Sequence, residues 1–152
     1  MDADCLIKLT KSKLKEFVCK NFSVVIPQIV KEEITYNTQE HFDAMIISEN
    51  IENKLITINT MSSSSKKGED AIFSIFQQGK YDAICSDDKR FIRRLRFFNI
   101  PYITPAVFIA LLLKKGKLTI KEAREKLDCL SSFVSDEEYN VIKAFLENWG
   151  KQ

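Results

Sequence analysis

Short apolar runs rich in β-branched residues alternate with segments of helical periodicity along this 152-residue chain, and that alternation constrains the fold more than any other feature. The strand signal lies at Cys5-Leu6-Ile7, Val24-Val25-Ile26, Leu55-Ile56-Thr57-Ile58, Asp82-Ala83-Ile84-Cys85 and the short Tyr102-Ile103. Helical spacing falls between these runs. Leu14, Phe17 and Val18 recur within 11–20, Ile29, Val30 and Ile34 follow Pro27, and Phe42, Met45 and Ile46 share a face over 38–50. Ala71, Ile72, Ile75 and Phe76 form the apolar face of a helix opened by Gly68-Glu69-Asp70 and ended by Gly79. A further helix spans 89–98, and Pro105 opens a very apolar one that runs through Leu113 and closes at Gly116.

Strands alternating with helices require right-handed crossovers and a parallel sheet covered on both faces. The expected fold is α/β, a three-layer α/β/α sandwich with a central parallel sheet of about four to five strands, plus C-terminal helices. Thr119 with Glu122, and Ser135 with Glu138, have the spacing of N-terminal caps for helices over 119–130 and 135–149. Residues 1–118 are expected to form the α/β domain and 119–152 a helical extension packed on it.

With 45% hydrophobic and 29% charged residues, the balance is that of a globular chain with a core rather than a disordered one. A net charge of +2 leaves any basic surface to local clustering. Apolar runs such as Phe108 to Leu113 are too short to span a bilayer, and the acidic opening is unlike a secretory signal. A cytoplasmic location without a membrane is the expectation. Four cysteines, at 5, 19, 85 and 129, lack CxxC spacing and lie remote from the single histidine, His41. Buried free thiols are expected there, not a zinc site.

Carboxylates are the informative residues. In a parallel α/β sheet, sites form beyond the carboxyl ends of the strands. Asp2 and Asp4 accompany the first strand run, two residues apart and so on one side of it. Glu33 lies on the helix after the second run, Glu69 and Asp70 open the helix after the third, and Asp87 and Asp88 follow the fourth directly. Taken singly, each has an ordinary explanation as a helix cap or a solvated face. Gathered, they repel and raise one another's pKa unless a cation lies among them. Oxygen donors without a histidine or cysteine set suit Mg²⁺ or Mn²⁺, whose chemistry on a phosphodiester is hydrolysis.

The order and spacing of these residues resemble the PIN-domain family. Asp2-Ala3-Asp4-Cys5-Leu6-Ile7 is similar to the opening motif, with Asp4 where the pattern has Ser or Asn. Val30-Lys31-Glu32-Glu33-Ile34 resembles the second motif, Gly68-Glu69-Asp70-Ala71-Ile72 the Gly-Glu motif of a prokaryotic branch, and Ser86-Asp87-Asp88-Lys89-Arg90 the Ser/Thr-Asp-Asp motif. The apolar helix ending Lys-Lys-Gly-Lys-Leu also resembles that branch, so the likeness extends over 1–118. The resemblance implies an endoribonuclease related to VapC-type toxins of toxin–antitoxin pairs, with catalytic Asp2, Glu33, Glu69 and Asp87. It implies that Asp2, Glu69 and Asp87, joined by Asp4 and Asp88, hold Mg²⁺ or Mn²⁺, and that a homodimer or an antitoxin protein is a partner.

Lys89, Arg90, Arg93, Arg94 and Arg96 crowd one short helix after Asp87, with Lys66 and Lys67 on a serine-rich loop expected to be mobile. Lys89, Arg90, Arg93, Arg94 and Lys67 are the candidate contacts to RNA phosphates, Arg94 having the alternative of serving an internal carboxylate. Phe73, Phe76, Phe91, Phe97, Phe98 and Phe108 are expected in the core, and the helix 106–113 is apolar enough to offer a face to a second subunit. The competing reading is a catalytically silent PIN-fold module that binds RNA or protein. A phosphoacceptor domain is disfavoured because no Asp stands near Ile58.

Overall fold

The computed structural model describes residues 1–36, 54–60 and 67–151. The helix expected over 38–50, His41, and the loop segment 61–66 with Lys66 lie outside the described residues. Eight helices and four short strands are present among those described: α1 (Ala3–Lys11), α2 (Lys15–Asn21), β1 (Val24–Pro27), α3 (Gln28–Thr35), β2 (Ile56–Asn59), α4 (Gly68–Gln78), β3 (Ile84–Cys85), α5 (Lys89–Phe97), β4 (Tyr102–Ile103), α6 (Val107–Lys114), α7 (Ile120–Leu130) and α8 (Asp136–Glu147).

The chain is mixed α/β with parallel strand pairs, as the alternation demands. β1 pairs with β2, Val24 opposite Ile56 through Pro27 opposite Asn59. β3 pairs with β4, Ile84 opposite Tyr102 and Cys85 opposite Ile103. The sheet expected to hold four to five strands is, among the described residues, two separate pairs.

The reason lies at the N-terminus. Cys5-Leu6-Ile7, expected as a strand, is helical. Asp2 has extended backbone at φ −79° and ψ 166°, and its side chain accepts the Cys5 N–H at 2.8 Å, which caps a helix. Cys5, Leu6 and Leu9 then fall on one buried face at helical spacing. Lys13 at φ +55° ends the turn, and α2 begins only at Lys15.

Leu6, Leu9, Leu14, Ile26, Ile56, Phe91 and Leu95 are fully buried in one cluster, which Leu127, Leu130 and Leu146 of the C-terminal helices also enter. Each buried Leu of this kind contributes roughly 1.5–3 kcal/mol. α6 buries Phe108, Ile109, Ala110, Leu112 and Leu113 inside the chain, so its apolar face is already covered by α2, α7 and α8. Phe91, Phe73 and Phe108 are core as expected. Phe97 and Phe98 are not: they are 81% and 51% exposed, past the buried stripe that Phe91 and Leu95 define on α5.

Candidate metal centre at the strand ends

β3 delivers the centre. It ends at Cys85, and the next residues, Ser86-Asp87-Asp88, turn into α5. The Asp2 N–H donates to the Cys85 carbonyl at 3.1 Å, which seats the first turn of α1 against this strand end. Ser86 is fully buried, and its hydroxyl holds the Asp2 side chain while accepting the Asp88 N–H at 3.2 Å. As a result one ligand atom each from Asp2, Cys5 and Asp87 lie within 4.8 Å of one another.

Two further carboxylates share the field of this cluster. Glu33, on α3, carries its carboxylate against the start of α4 and accepts the Gly68 N–H. A Cβ at position 68 would lie 2.9 Å from Glu33 Oε2 and 3.2 Å from Oε1, so a larger residue there would push the Glu33 carboxylate aside. Burial raises the Glu33 pKa, with Asp2 and Asp4 adding repulsion. Glu69 is raised by burial and then by Asp88, Asp2 and Asp70, against the opposing pull of Arg94. Asp2 itself is raised by burial, which outweighs its hydrogen bonds from Ser86 and Cys5. Three carboxyls are thus raised from their ordinary values in one region, which makes it the candidate site.

Cys5 stands behind the carboxylates. Burial, then its Cys85, Asp2 and Asp87 neighbours, push the thiol well above the usual range, and Sγ lies 3.8 Å from Asp87 Oδ1 as a donor. Asp2 and Asp87 offer carboxylate oxygens beside this thiol, donors that suit a divalent cation.

Asp4 is exposed in the first turn of α1. Asp88 caps α5, accepting the Arg90 and Phe91 N–H groups at 2.8 and 2.7 Å. On α5, Lys89, Arg90 and Arg93 are exposed, whereas Arg94 pairs with Asp70 and lies 4.5 Å over the Phe73 ring. Arg96 binds the Tyr102 hydroxyl, Nε donating at 2.8 Å. Lys67 is exposed at the start of α4.

Two residues of the centre escape sequence reading. Lys8 Nζ donates to Asp87 Oδ2 at 2.5 Å. Its signal was the Cys5–Lys8 spacing, which brings both to one face only if the segment is helical. Glu138 donates its N–H to the Ser135 cap as expected, at 3.2 Å, while its side chain turns inward and accepts the Ala106 N–H at 2.7 Å. Burial raises its pKa, and it lies close enough to Asp87 and Lys8 to feel both charges. No local pattern marks that choice.

Residues 1–148 match a family model described as a PIN domain. No curated protein and no solved structure matches the chain.

Proposed function

Because the chain belongs to the PIN-domain family, whose members are generally nucleases acting on nucleic acid, we propose that it is a metal-dependent endoribonuclease working at the Asp2–Asp87 centre. The observation that carries this reading is the gathering of Asp2 and Asp87 beside Glu33 and Glu69, each of these glutamates repelled by Asp2. Asp2, Asp87 and Glu69 would hold Mg²⁺ or Mn²⁺, with Glu33 completing the acidic wall and Asp4 and Asp88 at its rim. A bound divalent ion supplies water activation and neutralises charge on the phosphate.

The protein's own groups do the rest. Ser86 and the α1 cap hold Asp2 in place, and Lys8 holds Asp87 by one oxygen, leaving the other toward the cluster. Lys89, Arg90, Arg93 and Lys67 would contact phosphates flanking the cut, while Arg94 positions α5 against α4 through Asp70. Phe97, exposed one turn from Arg93, offers a ring on which an unpaired base can stack. This surface suits single-stranded or looped RNA better than a uniform duplex. In the toxin version of this reading, an antitoxin protein restrains the nuclease, and expression of the chain arrests growth until that partner is supplied.

The decisive experiment incubates the protein with single-stranded and structured RNA, with and without Mn²⁺. Cleavage only with metal, lost in Asp87→Asn, is expected. Metal-independent cleavage, or full rates in Asp87→Asn, would sink the mechanism, and RNA binding without cleavage under all conditions would favour the silent module.

A further inference from the structure

Asp87 divides its two oxygens between two partners. Lys8 Nζ holds Oδ2 at 2.5 Å, and Oδ1 faces Cys5 Sγ at 3.8 Å. An Asp2 carboxylate oxygen completes the group, so that one ligand atom each from Asp2, Cys5 and Asp87 lie within 4.8 Å of one another. Cys5 is fully buried, whereas Asp2 and Asp87 are half-buried.

The thiol reaches this place because the segment is helical. Asp2 caps α1, and Cys5, three residues on, donates its N–H to Asp2 Oδ1 at 2.8 Å. Residues three apart share one side of a helix but point to opposite faces of a strand. A strand over 5–7 would therefore carry Cys5 away from Asp2.

The spacing of the donors discriminates between coordination geometries. A sulfur at ~2.3 Å and an oxygen at ~2.1 Å from one tetrahedral ion lie about 3.6 Å apart, whereas at a right angle the same pair lies about 3.1 Å apart. The 3.8 Å between Cys5 Sγ and Asp87 Oδ1 is close to the tetrahedral edge and well beyond the octahedral one.

We propose that Cys5 is a metal ligand, and that Asp2, Cys5 and Asp87 together take a thiophilic, tetrahedral cation, Zn²⁺ in preference to Mg²⁺. The inference rests on the metal-centre reading and adds a sulfur donor to it. Asp2, Asp87 and Glu69 alone offer oxygens, a set suited to Mg²⁺ or Mn²⁺. One thiolate among the donors shifts the preference toward softer ions, and Zn²⁺ exceeds Mn²⁺ at a given donor set in any case. Zn²⁺ and Mn²⁺ then compete for Asp2 and Asp87. The Sγ proton passes to solvent as the sulfur–metal bond forms, which balances the step.

Co²⁺, a spectroscopic stand-in for Zn²⁺, is titrated into the full chain. The parent should develop a sulfur-to-cobalt charge-transfer band in the near ultraviolet. Cys5→Ser and Cys5→Ala should lose that band, and Cys85→Ala and Cys129→Ala should keep it. By calorimetry, Zn²⁺ affinity should fall roughly tenfold or more in Cys5→Ser, with Mn²⁺ affinity within about twofold of the parent. Zinc-edge X-ray absorption on the parent, which needs no variant to fold, should show one sulfur at about 2.3 Å. Zn²⁺ bound by light donors alone, or a cobalt band that survives in Cys5→Ser, would overturn the role of Cys5 and leave the carboxylate centre standing. Absence of binding by Zn²⁺, Co²⁺ and Mn²⁺ alike would overturn the metal-centre reading as well.

Discussion

Lys8 Nζ and Asp87 Oδ2 lie 2.5 Å apart, a pair that ties α1 to the end of β3 across 79 residues of sequence. Burial works against the Lys8 charge, but the Asp87 hydrogen bond and the surrounding carboxylates outweigh it, and the Lys8 pKa is raised. A lysine raised in the folded state contributes stability at all lower pH and loses it only as pH climbs through the raised value. The pair is therefore fully formed at neutral pH. Lys8→Gln removes a positive charge from the acidic centre, and Mn²⁺ should bind about three- to tenfold more tightly, with a loss of about 1 kcal/mol in stability. Titration calorimetry with Mn²⁺ checks the first effect, and weaker binding in the variant contradicts it.

Asp2 illustrates stability set against function. Its carboxyl is held above the ordinary value of 3.8, chiefly by burial. Since the folded protein then binds the proton more tightly than the unfolded chain, stability falls as pH rises from about 3.8 through the raised value and stays lower above it. Asn keeps a side-chain oxygen for the Cys5 N–H and carries no charge. Asp2→Asn should therefore melt higher than the parent at pH 7 without divalent ions, show the smaller gap at pH 3, and have no nuclease activity. Melting curves at both pH values decide it. A parent that outlasts the variant at pH 7 would show that the ionised carboxylate stabilises the fold.

Glu138 separates two roles of one carboxyl. It accepts the Ala106 N–H at the start of α6, and burial raises it above 4.5. Glu138→Gln preserves an acceptor and should leave stability near neutral pH unchanged or higher. Glu138→Ala leaves the Ala106 N–H without this acceptor and should cost about 1–3 kcal/mol. Chemical denaturation of both variants measures the difference. Equal losses would mean that the charge, not the hydrogen bond, matters.

Arg93 and Phe97 sit one turn apart on α5, and both are exposed. If Arg93 contacts a phosphate, Arg93→Ala should reduce the slope of log affinity against log salt by about 0.7 on single-stranded RNA. Phe97→Ala should weaken binding at least fivefold and leave that slope unaltered, since stacking releases no counterions. Fluorescence anisotropy across a salt series reads both. An unaltered slope in Arg93→Ala removes it from the RNA path.

What the sequence determined by itself is the locally encoded part. The β-branched run at 24–26 is a strand, the Thr119–Glu122 capping box forms with both of its hydrogen bonds, and Ser86-Asp87-Asp88 follows a strand and opens a helix with Asp88 as its cap. These features depend on residues within a turn of one another, so the pattern suffices. Tertiary structure decided the rest. Asp2 caps α1 locally through the Cys5 N–H, but its own N–H on the Cys85 carbonyl, 83 positions away, is what seats that cap at the end of β3. The Ser135 hydroxyl caps α8 by accepting the Glu138 N–H, but the Glu138 side chain forgoes the reciprocal bond and accepts the Ala106 N–H, 32 positions off. Phe97 continues the helical spacing of α5 but, among the described residues, no layer covers it, and it is exposed. The acidic centre opened as a list of carboxylates; which of them meet was decided by long-range contacts that no local spacing encodes.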